Sequence, residues 1–172
     1  LRIIIVSLEP LPQRYTCEWV DNIPKMIRKR LKEKNLHYEV YNILGQQTTE
    51  RTSKGSFLNF AATNIWKNTQ TNTICENFIN GYVSPGDKFF FTDAWNTGIL
   101  QLRYMSQLLD IPVEIHGLWH AGSFDEHDLL GQKIIDKRWS YNTERAIYYA
   151  CDYNYFGTEF LREMFETKVL GK

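Results

Sequence analysis

Sulfur chemistry is scarce in this chain: its 172 residues hold three cysteines, Cys17, Cys75 and Cys151, and no two are spaced as CxxC. An odd, widely spaced set argues against both a disulfide framework and a cysteine zinc site, and fits a reducing compartment. Long hydrophobic runs are also missing. No stretch approaches the roughly 18 apolar residues that cross a bilayer. The opening LRIIIVSLEP is too short an apolar run, and lacks the small-residue cleavage site, for a secretory signal. A cytoplasmic domain with no membrane span is therefore expected. Net charge is absent as well, with 20 basic residues against 20 acidic ones, so charge alone would not draw the chain onto nucleic acid or an anionic membrane. The local exception is the basic cluster from Lys25 to Lys34. Glycine-rich phosphate cradles are missing too. SLEPLPQRY, which follows the first apolar run, contains neither GxGxxG nor GxxxxGK[ST], and no GxSxG occurs anywhere. Dinucleotide redox chemistry, P-loop nucleotide hydrolysis and serine hydrolysis are disfavoured accordingly.

What is present reads as one domain in which strands and helices alternate. Arg2 to Ser7 is a β-branched run of the kind a strand buried on both faces of a parallel sheet requires. Trp19, Ile23, Ile27 and Leu31 recur at helical spacing beneath a basic outer face, with Pro24 expected in the first turn. Tyr38 to Leu44 alternates as a second strand, and the polar QQTTERTSKGS (46–56) reads as a surface loop. From Phe57 to Ile79 the apolar spacing suggests helices interrupted by NTQTNT. The Ser84-Pro85-Gly86-Asp87 turn leads into a third strand at Phe89–Phe91, and Ile99, Leu102, Met105 and Leu109 mark a helix that ends before Ile111-Pro112. A fourth strand is expected at about 113–116, a helix from Trp139 to Cys151, a fifth strand from Tyr153 to Phe156, and a last helix through Phe165 with Thr158 as its N-cap. Such alternation specifies an α/β fold with a doubly wound, mostly parallel sheet of about five strands and helices on both faces, ordered 3-2-1-4-5 or 2-1-3-4-5.

Ligands bind such sheets at the carboxyl ends of the strands, and the chain's titratable groups gather there. Three of its four histidines lie in HGLWHAGSFDEHD, residues 116–128. His116 reads as a partly buried, satisfied imidazole or as a substrate contact. His120 lies beside Trp119 and ahead of the small pair Ala121-Gly122, where backbone can approach a substrate, and it is suited to act as a general base or as a donor to a sugar hydroxyl or phosphate oxygen. Asp125, His127 and Asp128 are candidates for acceptor hydroxyls, although Asp125 would equally cap a short helix through Leu129 and Leu130. Asp93, between three phenylalanines and Trp95, either caps the next helix or orients a catalytic histidine. Thr158 and Glu159 complete the set of strand ends. A metal reading rests on the i, i+4 pair His116 and His120 with Asp125 and His127, and would make the chain a metal-dependent hydrolase. A noncatalytic binding module is the third possibility.

The segments RIIIVSLEP, GDKFFFTDAW, PVEIHGLWHAG and ERAIYYACDYNYFGTEFLREMF together resemble the N-terminal, acceptor-side domain of a GT-B glycosyltransferase of the retaining type, phage-like or bacterial. The resemblance implies a Rossmann-like domain and a UDP- or GDP-sugar as donor substrate, with no tightly bound cofactor or metal. It places His120 against the transferred sugar and sets Asp93, Trp95 and the segment from Asp125 to Asp128 toward a hydroxyl acceptor. A small molecule, a glycan and a modified DNA base are all open as that acceptor. It also implies that ETKVLGK begins a link to a separate donor-binding domain or a partner subunit. The glycine pair that many such domains carry after the first strand is absent here.

Overall fold

A computed structural model describes residues 1–12, 14–48 and 59–172. Its sheet has five parallel strands in the order β2-β1-β3-β4-β5: β1 Arg2–Val6, β2 Glu39–Ile43, β3 Lys88–Phe91, β4 Glu114–Trp119 and β5 Tyr153–Phe156. This is the second of the two orders the sequence allows, and it makes β1 and β3 the neighbours at which the winding reverses. Helices α1 (Trp19–Glu33), α2 (Phe60–Ile79), α3 (Gly98–Leu108), α4 (Leu129–Lys133), α5 (Lys137–Ala150) and α6 (Glu159–Phe165) lie between or after the strands. The π-helical turn Glu166–Leu170 extends α6. No helix among the described residues is long and apolar enough to cross a membrane.

The two faces of the sheet are covered unequally. Ile4, Val6, Ile43, Phe89, Phe91, Ile115 and Trp119 point to one side and join Ile74 of α2, Leu102 of α3, Ile147 of α5 and Phe165 of α6 in a single core. On the other side α1 packs on β2, fixed by Arg28 donating to the Val40 carbonyl and Asn42 donating to the Val20 carbonyl. Elsewhere that face carries Lys88, Glu114, His116, Tyr153 and Tyr155, an ion-paired and stacked surface on which Tyr153 and Tyr155 are exposed.

Four expectations need correction. Pro24 is not in the first turn of α1 but inside it, and buried. Its missing N–H leaves the Val20 carbonyl without the usual helical donor, and the Asn42 side chain supplies one at 3.1 Å. Second, NTQTNT does not interrupt a helix: α2 runs through it. Thr69, Thr71 and Thr73 bond back to carbonyls one turn earlier, and buried Gln70 donates to the Ser7 and Ile43 carbonyls at 2.7 and 2.9 Å. Tertiary bonds thus override poor helix formers. Third, β4 continues to Trp119 because the buried alternation Ile115, Gly117, Trp119 continues. Gly117 belongs to it: a Cβ there would meet Cys151 Sγ at 3.0 Å and Ala94 at 3.3 Å. Fourth, the cap of α4 is Asp128, which accepts from Leu130 N, while Asp125 accepts from His127 N. The surface loop expected at 46–56 lies largely outside the described residues, as does Phe57.

Replacing Asn42 with leucine should leave the Val20 carbonyl unpaired and destabilise the protein by about 1–3 kcal/mol. Pro24→Ala in that background restores a backbone donor and should recover part of the loss. Urea denaturation of both singles and the double tests this, and strictly additive effects would contradict the coupling.

Candidate functional site

Thr92, the residue after β3, joins three strand ends. Its N–H donates to the Val6 carbonyl at 3.1 Å, its hydroxyl accepts from Leu8 N at 2.8 Å, and its carbonyl lies 2.6 Å from His120 Nε2. A carbonyl can only accept, so Nε2 carries a proton and donates it to Thr92, and Nδ1 is the ring nitrogen left without a hydrogen bond among the described residues. The ring packs at 4.8 Å against Trp19, at the start of α1.

These ends border a crevice of about 510 Å³ at the carboxyl edge of β1, β3 and β4, beside the point where the winding reverses. Leu8 and Glu9 follow β1; Asp93 and Trp95 follow β3; His120 and Ala121 follow β4. Phe60, Thr63 and Lys67 enter from α2, while Asp128, Lys133 and Trp139 close the far wall. Lys67 pairs with Asp93 at 2.8 Å and also donates to the Trp95 carbonyl, while Asp93 Oδ1 accepts from Trp95 N at 3.1 Å. Burial raises the Asp93 carboxyl, but the Lys67 charge and hydrogen bond, helped by His120, outweigh it and hold the group below its ordinary value. Asp93 is thus an ionised anchor for the turn, and the hydrogen bond that orients His120 comes from Thr92.

Trp95 is fixed from behind. Its indole N–H donates to Glu144 at 2.8 Å, and its ring meets Trp139 edge-on at 6.4 Å. Glu144 is fully buried and also accepts from Ser123 N and bonds to Ser123 Oγ. Burial pushes its carboxyl up, against the lowering effect of those donors. Ser123 Oγ also reaches Ser140 Oγ at 2.7 Å, and Ser140 donates to the Lys137 carbonyl. One hydroxyl proton on Ser123 cannot serve both Ser140 and Glu144. A protonated Glu144 that donates to Ser123 completes every bond in the chain.

The residues singled out from sequence divide between this crevice and other places. His120, Asp93, Trp95 and Asp128 line it together. Burial raises the Asp128 carboxyl despite its capping bonds. His116 lies on the open sheet face, where it bonds to Glu114 at 2.7 Å and Tyr155 at 2.9 Å and stacks on Tyr153. Trp119 is buried in the core, donates to Asn154 and packs on Phe156 and Phe165. Gly122 is small because the Phe124 ring and Glu144 occupy the space a Cβ would need. Asp125 and His127 form their own surface turn, Thr158 caps α6 through Leu161 N, and Glu159 pairs with Arg162; none of these lines the crevice. The metal constellation does not assemble: among the described residues no three His, Cys, Asp or Glu side chains converge as ligands. Glu9, Thr16, Lys67 and Trp139 are lining residues that residue-by-residue sequence reading did not select. Only Glu9 had a signal, since it falls in the segment after β1.

The chain matches no protein-family model and no curated protein. Of the likeness to a GT-B domain, the structure bears out the coarse part: a five-stranded parallel sheet flanked by helices.

The raised carboxyl of Glu144 implies that the folded protein binds more protons than the unfolded chain between Glu144's elevated pKa and the ordinary glutamate value of about 4.5. Across that window this group should make stability rise as pH falls. Glu144→Gln, which reproduces the donor to Ser123, should stabilise the protein at neutral pH and flatten this part of the profile. Chemical denaturation from pH 5 to 8 checks it; an unchanged slope would contradict the assignment.

Proposed function

We propose that this domain is the acceptor side of a nucleotide-sugar glycosyltransferase, and that the crevice receives the hydroxyl to be glycosylated. One observation carries the reading: His120 is held by the Thr92 carbonyl in the tautomer that leaves Nδ1 free to take a proton. Among the described residues Nδ1 has no hydrogen-bond partner, and the histidine lines the crevice at the reversal point of the sheet. A neutral imidazole is matched to deprotonating a hydroxyl as it attacks, or to polarising it by hydrogen bonding.

Other features support the same reading. The crevice combines tryptophan rings with fixed polar groups, as sites for hydroxylated rings do. Asp93 and Lys67 neutralise each other, so they add rigidity without competing for the proton. The UDP- or GDP-sugar would be bound by a second domain or subunit facing this edge, and catalysis would come from positioning the hydroxyl against the donor carbon.

The test is nucleotide release from a panel of UDP- and GDP-sugars, measured on the product of the full reading frame with hydroxyl acceptors. His120→Ala should lower kcat by about 10²- to 10⁴-fold in a protein that still folds. A complete protein that turns over no nucleotide sugar, or a His120→Ala form with full activity, would overturn the proposal.

A further inference from the structure

Among the described residues, two buried polar groups of the crevice have no partner. The Thr16 hydroxyl is buried, with the residue 1% exposed, borders the cavity and makes no hydrogen bond. Glu9 is 6% exposed, lines the same cavity and forms no hydrogen bond or ion pair among the described residues. Leaving such groups unpaired is costly in a folded protein. Thr16 belongs to the 3-10 turn Tyr15–Glu18 that precedes α1, and Glu9 follows the end of β1.

The charge inventory narrows the ligand. Three cations, Arg14, Lys67 and Lys133, and three carboxylates, Glu9, Asp93 and Asp128, line the crevice. Lys67 is committed to Asp93, Arg14 acts electrostatically on Asp128, and Lys133 is exposed. The lining charges sum to zero, so no net charge draws an anion, and the Glu9 carboxylate accepts hydrogen bonds but repels phosphate. The lining also includes the apolar side chains Trp95, Trp139, Phe60, Leu129 and Ile134. Unsatisfied oxygens and aromatic rings in one cavity suit a molecule with hydroxyls on its rim and C–H groups on its faces.

We infer that Glu9 and Thr16 form a hydroxyl-binding subsite for a neutral saccharide, with Glu9 accepting from a ring hydroxyl and Thr16 bonding to a neighbouring one. This rests on reading the crevice as an acceptor site and names the acceptor's chemical class.

Saturation-transfer NMR and calorimetry with glucose, galactose, N-acetylglucosamine and maltose, against glucose 6-phosphate and inorganic phosphate, test the inference on the chain itself. At least one neutral sugar should bind more tightly than either phosphate compound. Glu9→Gln should weaken it at least about tenfold, the scale of a lost charge-assisted hydrogen bond. Thr16→Val should weaken it less and melt at or above the wild-type temperature, because it removes a buried hydroxyl that is unsatisfied without ligand. That opposition of binding and stability separates the proposal from simple misfolding, and the Thr16 variant keeps it testable if Glu9→Gln folds poorly. Absence of neutral sugar binding, tighter binding of the phosphates, or sugar binding untouched by both substitutions would overturn it. Sugar binding that depends on Glu9 without nucleotide-sugar turnover would support this subsite while contradicting the transferase reading. Turnover with sugar binding indifferent to Glu9 would do the reverse.

Discussion

The geometry of this domain depends on the bonds made by Thr92. In a parallel sheet the strands end together, but nothing in the ladder fixes the loops that follow. Here one residue at the end of β3 spends its N–H and hydroxyl on the end of β1, at Val6 and Leu8, and its carbonyl on His120 at the end of β4. The crevice residues Glu9, Asp93 and His120 all lie within one residue of those tethered positions. The pairing of Asp93 with Lys67 then fastens the same turn to α2.

Behind that edge the site rests on two differently built supports. One is polar: Glu144 and Ser123, buried under Trp95, with Ser140 at the end of the chain of bonds. The other is apolar, with Trp119, Phe124, Phe156 and Phe165 meeting at ring separations of 4.8 to 6.1 Å. The aromatic cluster fixes β4 and β5 against α6, and so determines where the loop beginning at His120 leaves the sheet. A substitution in either support is expected to act on the crevice without touching a ligand, as the outer shell of a preorganised site does.

Legibility in the sequence followed local period. β1, β3 and the apolar stripe of α1 are visible because their burial repeats every two or every three to four residues. NTQTNT misled because its residues are weak helix formers, while the bonds that keep it helical run to Ser7 and Ile43, far away in sequence. The histidine-rich stretch read as one loop after a strand ending near 116; in fact β4 continues to Trp119, leaving His116 on the sheet face and His120 at the crevice. Lys67 and Trp139 were invisible as site residues because only the fold brings α2 and α5 to the ends of β1, β3 and β4. Pro24 was misplaced for a related reason: its acceptor carbonyl is satisfied by a side chain from another element.

The central claim is that His120 is held by its Nε2–H on the Thr92 carbonyl, with Nδ1 left without a hydrogen bond among the described residues. Long-range ¹⁵N–¹H correlation of the histidine side chains at neutral pH reads this directly. The account predicts an Nε2–H tautomer for His120, identified by its loss in His120→Ala, with a protected Nε2 proton. An Nδ1–H tautomer there, or rapid averaging between the two, would mean that the Thr92 carbonyl does not hold the ring, and would contradict the account.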